Sequence, residues 1–476
     1  MIRHTADSLI PAPQNVQIQD GFFPLLTLKS FYITPEFGSL SARMDELFCR
    51  FKLPRRRVDA PVDAQLVLQK SPLPADGFRI TITTTSILLE AADYGGAFYA
   101  VNALTQMLFA AMIRGFEKPD MHCAVIEDAP RFKHRGLLLD SARHFQSPAA
   151  VKRILRVMAE FRLNTLHWHL VDNQAWRLQL QTTAGLENIS TLEPGFYTAG
   201  DIHEITALAS SLNIDIIPEI DIPGHSFNLL QKYPQYRCAN GTGWIGEYCL
   251  GNENAKKFLQ EILREVMELF PASTCIHIGG DEANSANWEK CPDCRKALQK
   301  SNCRDFRELE NQFMVEMAEF IQQNNRKPLV YSTNGSQVFP ADVTVQAALD
   351  IREPLKHIPH GNKIIYSMHT SLYFDYPANL SEPWETWMFE VSERAVYMCD
   401  PYIIWPEKVK DFILGTEACL WTETIPEWRI MAKTMPRFFA FSEAAWSLPE
   451  VKDYHNFAAR KEMLEAAGYI EYLYSL

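Results

Sequence analysis

Between residues 135 and 421 the chain repeats one unit eight times: a short apolar run followed, in most cases, by an amphipathic helical stretch. The runs are RGLLLD (135–140), TLHWHLV (165–171), DIIPEID (215–221) and CIHIGGD (275–281), then KPLVYST (327–333), VTVQAAL (343–349), KIIYSMH (363–369) and ILGTEACLW (413–421). Strands that are apolar on both sides belong to parallel sheets with both faces covered, and eight of them mostly separated by helices predict a closed (β/α)8 barrel. The helical stretches carry their own signals. SPAAVKRILRVMAEF opens with Ser147 as N-cap and Pro148 at the first helical position, and NENAKKFLQEILREVMELF and FRELENQFMVEMAEFIQQ are equally helical. The connection after the seventh run, residues 372–412, is long and irregular.

Upstream the rhythm is different. FRITITTTSILLEA (78–91) predicts two short strands, and GGAFYAVNALTQMLFAAM (95–112) a helix with an apolar stripe. Residues 1–128 are therefore expected to form a small α+β accessory domain, and 129–476 the barrel; 476 residues accommodate both. The net charge of −12 argues against nucleic acid or an anionic membrane as the main partner. No stretch reads as a membrane span, and MIRHTADSLIPAPQNVQIQD has no apolar signal region, so a cytoplasmic protein with ten reduced cysteines is expected.

A barrel of this kind carries its chemistry at the C-terminal ends of its strands. Sorted that way, the runs end in Asp140 with Arg143 and His144, in His167, His169 and Asp172 with Trp176 and Arg177, in Glu219, Asp221 and His225, and in His277, Asp281 and Glu282. The last two lead to Tyr373 and Asp375, and to Trp421 and Glu423. Acids, histidines and aromatic rings on one rim suit a polar ligand with apolar faces, of which a sugar is the simplest. Gly279-Gly280 permit a turn, so the adjacent acids Asp281 and Glu282 can both face the rim. Taken alone, the pair could equally cap a helix. His277, Asp281 and Glu282 lack an HExxH-type spacing, so no catalytic metal and no cofactor is expected. His144 and His167 read as packed, hydrogen-bonded histidines. CPDC (291–294), with Cys303 nearby, has the spacing of half a zinc site, but a second CxxC is absent, and free thiols at a helix start are the favoured reading.

LIPAPQNVQIQDG and GGAFYAVNALTQML resemble the small N-terminal domain of glycoside hydrolase family 20, the β-N-acetylhexosaminidases. HRGLLLDSARHF, NTLHWHLVDNQAWRLQL, IIPEIDIPGHS, IHIGGDE and ACLWTE resemble the successive motifs of that family's barrel, in the family's order. The resemblance implies an exo-acting hydrolase that removes terminal β-linked N-acetylglucosamine or N-acetylgalactosamine from an oligosaccharide or glycoconjugate with retained configuration. The family is an exception to the two-carboxylate retaining scheme, since the substrate's own 2-acetamido oxygen attacks and gives an oxazolinium intermediate. Carried over by motif, Glu282 is the general acid and base, Asp281 the acceptor of the acetamido N–H, and Tyr373 the donor to the acetamido carbonyl. Asp172 and His225 match a proton relay behind Glu282. Arg135 matches an arginine on the sugar hydroxyls O3 and O4, Asp375 and Glu423 ligands at O4 and O6, and Trp421 the wall under the ring. Asp221 organises the EIDIPGH loop, and His169 supports the sugar site from behind.

Two tryptophans usual in the acetamido pocket are replaced, by Tyr331 and Ala348, and the second acid of the usual DDQ motif is Asn173. Trp384, Trp387 and Trp405 are candidates to fill the gap. Two other readings stay open: a retaining β-glycosidase without the acetamido requirement, which needs a separate nucleophile about 5 Å from Glu282, and a silent sugar-binding barrel.

Overall fold

In the computed structural model, which describes all residues except 1–3, 55, 115–118, 191–192, 240–245, 333–337, 353 and 406 (and the side chains of 114 and 404), all eight apolar runs become strands. Numbering strands along the chain, an N-terminal sheet contains β1 (Asn15–Pro24), β2 (Ser30–Ile33), β3 (Arg56–Arg57), β4 (Leu66–Lys70), β5 (Phe78–Ile82), β6 (Ile87–Ala91) and β7 (Asp120–Asp128). The barrel follows with β8 (His134–Asp140), β9 (Thr165–His169), β10 (Asp215–Ile222), β11 (Cys275–Gly279), β12 (Lys327–Tyr331), β13 (Thr344–Ala347), β14 (Ile364–Tyr366) and β15 (Ile413–Leu420). These last eight pair in parallel and in sequence, and β15 closes on β8 with Thr416 opposite Arg135 and Leu420 opposite Leu139. Every residue of β9 is buried, as are all but the first of β8 and β11, which is why these segments read as continuous apolar runs rather than alternating ones.

The helices between them follow the expected local rules. The helix Pro148–Glu160 starts at its proline, and Ser147 Oγ accepts from the Ala150 N–H at 3.3 Å. In Glu253–Leu269, Asn252 caps the N-terminus, and the buried set Ala255, Phe258, Leu259, Ile262, Leu263 and Val266 recurs at helical spacing.

Two compact units are distinguished: residues 1–133, 156–162 and 438–476 form one, and 134–155 and 163–437 the other. The C-terminal helices Tyr454–Ala466 and Tyr469–Ser475 therefore group with the small sheet. That sheet has the order β1-β7-β5-β6-β4-β2-β3, so the two strands expected over residues 78–91 are its antiparallel centre, β5 and β6, each alternating buried and half-buried residues. The helix expected over 95–112 spans Tyr94–Arg114. Contrary to the expectation from sequence, its stretch Tyr94–Ile113 is long and apolar enough to cross a membrane; most of it is buried in the protein, as the core helix of a folded unit would be.

Candidate active site

At the C-terminal ends of the barrel strands lies a cavity of about 190 Å³. Its polar lining comes from Arg143, His225, Asp281, Glu282, Asp375 and Glu423, and its aromatic lining from Tyr331, Tyr373, Tyr376, Trp387 and Trp421. That volume is below the ~300–1,000 Å³ usual for drug-sized ligands, so it suits one terminal sugar better than a run of them.

The adjacent acids share this cavity because the backbone leaves strand geometry before it reaches them. β11 ends at Gly279, with φ +65°, and a Cβ there would sit 1.6 Å from Asp221 Oδ1. Only glycine permits both that dihedral and that approach. The Gly280 N–H then donates to the same Asp221 oxygen at 3.3 Å, which holds the turn against the end of β10. Glu282 itself has φ +48° and His225 φ +46°, a left-handed conformation uncommon for side-chain-bearing residues. Downstream, the Arg307 guanidinium donates to the Ala283 carbonyl and to Glu310, both at 2.8 Å, which anchors the loop from the other side. The two acids end in different surroundings: the Glu282 side chain is 65% exposed, that of Asp281 only 18%.

Behind the pair runs an unbroken line of charged groups. His225 Nε2 is 3.7 Å from Glu282 Oε2 and 4.0 Å from Asp281 Oδ1, while its Nδ1 is 3.2 Å from Asp172 Oδ2. Asp172 also meets Arg143 Nη2 at 2.8 Å and His169 Nε2 at 3.0 Å, and His169 Nδ1 meets Glu219 Oε2 at 2.6 Å. Burial works against the charge on Arg143, His169, Asp172, Glu219 and His225, but their partners outweigh it. Arg143 and His225 hold Asp172 well below the usual carboxylate range. Asp172 and Asp221 raise His225 well above an ordinary imidazole. Asp281 goes the other way: burial raises its carboxyl, with His225 opposing only in part. Its Oδ1 is buried without a hydrogen-bond partner, and so is Oδ1 of Asp375. An unpaired buried acceptor is costly unless a ligand supplies the donor.

Below the line the barrel interior is polar where apolar layers are the rule. His167 contacts Glu417 at 2.8 Å and Glu219 at 3.1 Å, Gln346 donates to Glu417 at 2.9 Å, and the Tyr331 hydroxyl donates to Glu219 at 3.3 Å. Two acids bring His167 up to about 9 against its burial, whereas burial takes His277 down to about 4. His167 is thus a packed, hydrogen-bonded residue, as its sequence context indicated.

Of the residues singled out from sequence, Glu282, Asp281, Tyr373, His225, Asp375, Trp421, Glu423 and Tyr331 line the cavity. Asp172 does not line it and stands behind His225. Arg135 is misplaced by the sequence reading. It is the second residue of β8, at the N-terminal end of a parallel strand and fully buried, so the length of the strand separates it from the rim. The arginine that reaches the cavity is Arg143, beyond the C-terminal end of the same strand, with its guanidinium 5.2 Å from the Trp421 ring. His169 and Asp221, grouped with sugar binding, do not line the cavity either; both are buried beneath it and act on its walls. Among the candidate replacement tryptophans, Trp387 lines the cavity, whereas Trp405 is buried with its Nε1–H donated to the Ile351 carbonyl. Glu219 was placed at its strand end without a role and lies beneath the cavity, whereas Tyr376, which lines it, was missed. The only sequence signal for Tyr376 is its position next to Asp375, on a segment whose carbonyl at Tyr376 receives the buried Arg437 at 3.0 Å.

Comparison with known proteins gives concordant matches. The model of the glycosyl hydrolase family 20 catalytic domain matches residues 132–449, and that of the family's domain 2 matches residues 6–129. A beta-hexosaminidase of Akkermansia muciniphila is 30% identical over 410 residues, covering 81% of this chain and 82% of that protein. One from Vibrio furnissii is 27% identical over 458 residues, covering 88% and 73%. Among solved structures, the beta-N-acetylhexosaminidase of Bacteroides fragilis superposes with a TM-score of 0.86 at 27% identity, over 98% of this chain and 96% of that one. For the fold alone, the exo beta-N-acetylglucosaminidase of Vibrio harveyi in complex with N-acetylglucosamine gives 0.88 at 24% identity, over 98% and 78%.

Proposed function

The chain belongs to glycosyl hydrolase family 20, and we propose that it hydrolyses terminal β-linked N-acetylhexosamine in an exo-acting, configuration-retaining reaction in which the substrate's 2-acetamido group is the nucleophile. The observation that carries this reading is Asp281 Oδ1, buried, unpaired and beside Glu282 on one cavity wall. An acetamido N–H is the donor it lacks. Glu282, the more exposed of the two, protonates the leaving glycosidic oxygen as the acetamido carbonyl oxygen closes on the anomeric carbon. Asp281 takes the N–H and offsets the positive charge of the oxazolinium ring, and Tyr373 donates to the attacking carbonyl. A protonated His225 at 3.7 Å stabilises the carboxylate left on Glu282. Glu282 then takes a proton from water as it opens the ring. Arg143, Asp375 and Glu423 receive the hydroxyls, and Trp421 packs under the ring.

The test is hydrolysis of matched nitrophenyl β-glycosides of N-acetylglucosamine, N-acetylgalactosamine and glucose. Turnover restricted to the acetamido sugars is expected; comparable turnover of the glucoside would mean that a protein nucleophile does the work.

The two arginines make a second test. A charge-assisted hydrogen bond contributes about 1.5–3 kcal/mol, so Arg143→Lys is expected to lower kcat/KM by roughly 10- to 100-fold. Arg135→Met is expected to lower Tm and leave KM unchanged. Steady-state kinetics and thermal melts on both variants check this, and a raised KM in Arg135→Met would restore that residue to the sugar site.

A further inference from the structure

Beyond the catalytic loop the fold brings four cysteines together that the sequence keeps apart. Cys291 and Cys294 flank the start of the helix Pro292–Lys300, while Cys238 and Cys249 come from the segment between β10 and the helix Glu253–Leu269. All four are buried, and each offers a Sγ within 4.8 Å of the other three. The Cys238–Cys294, Cys249–Cys291 and Cys249–Cys294 separations are 3.7, 3.7 and 3.5 Å.

These distances decide the chemistry. A disulfide needs about 2.05 Å between sulfurs. Four thiolates at about 2.3 Å from a tetrahedral metal stand about 3.8 Å from one another, close to what is seen. We propose that Cys238, Cys249, Cys291 and Cys294 hold one structural divalent metal ion of the zinc class in a tetrathiolate site, which ties the segment after His225 to the segment after Glu282. Three further features fit. The helix Pro292–Lys300 presents its positive N-terminal end to the cluster, which favours thiolate. The two segments touch backbone to backbone, since a Cβ on Gly251 would lie 2.2 Å from the Asp293 carbonyl oxygen. Among the described residues, hydrogen bonds join the same segments: Glu247 accepts from the Asn284 N–H and from the Asn287 side-chain amide, both at 3.3 Å, and the Tyr248 carbonyl from Trp288 at 2.9 Å. Cys303 is outside the set, with its Sγ 3.3 Å from Gln312 Oε1.

The experiment is metal content of the full chain purified without chelator, followed by exchange with cobalt(II). One zinc per chain is expected, with cobalt giving the thiolate charge-transfer and visible bands of tetrahedral sulfur coordination. Cys294→Ser is expected to lose the metal and lower Tm by about 5–10 °C, and Cys303→Ser to keep both at the wild-type level. Metal-free wild-type protein with two disulfides by non-reducing mass measurement would overturn the proposal. Equal metal loss in Cys303→Ser would do the same. Because the wild-type count stands by itself, a Cys294→Ser chain that fails to fold leaves the test intact, and none of these readouts depends on the substrate.

Discussion

Glu282→Gln is expected to abolish turnover of a disaccharide ending in N-acetylglucosamine, with kcat reduced by about 10³- to 10⁴-fold, or roughly 4–5.5 kcal/mol, and binding of the free sugar retained. The size follows from its double duty, as acid toward the leaving oxygen and then as base toward water. Nitrophenolate leaves with little help, so on a nitrophenyl glycoside the first step survives better and the second becomes limiting. Azide, which needs no base, should then restore turnover and give a glycosyl azide of retained configuration. Recovery by azide separates a lost base from a misfolded site. Wild-type rates in the variant would remove Glu282 from the mechanism.

Asp281→Asn is expected to lower kcat by about 10²- to 10³-fold with KM little changed, because its carboxylate acts mainly as positive charge develops on the acetamido group. A stable thiazoline mimic of the bicyclic intermediate should lose affinity by a comparable factor, while the product sugar should not. Equal losses for mimic and product would mean that Asp281 only binds the ground state. There is a pH consequence as well. Burial raises the Asp281 carboxyl, so the ionised form it needs is reached at higher pH than for an exposed aspartate. The acid limb of kcat/KM should therefore lie higher than an exposed aspartate would put it and move in Asp281→Asn; a limb unchanged in the variant would assign the titration to another group.

The two carboxylates were visible in the sequence because their geometry is local. Two glycines before two acids at a strand end permit a turn, and the structure puts both acids on the same cavity. The barrel was equally visible, since a strand covered on both faces has to be apolar throughout. Arg135 shows where this kind of reading fails. It and Arg143 flank the same run; motif likeness picked Arg135 at the start of the strand, although the rule that strand C-terminal ends carry the chemistry already put Arg143 on the rim. Trp384, Trp387 and Trp405 were alike on paper, and Trp387 is the one that the long connection after β14 brings to the cavity.

What the sequence determined by itself is the set of things written in periodicity and in short spacings: the (β/α)8 rhythm, the glycine turn under Asp281-Glu282, and the capped helices. What only the tertiary structure decided lies between residues far apart in the chain. The line Glu219–His169–Asp172–His225–Glu282 draws on three strands, β9, β10 and β11, and the loops after them. The cysteine cluster joins residues 42 to 56 positions apart, and Cys238 and Cys249 match no CxxC pattern. Backbone propensity and side-chain period act over a few residues, so they leave a record in the local sequence. Barrel closure decides which distant side chains face one another, and no short stretch of the chain encodes that.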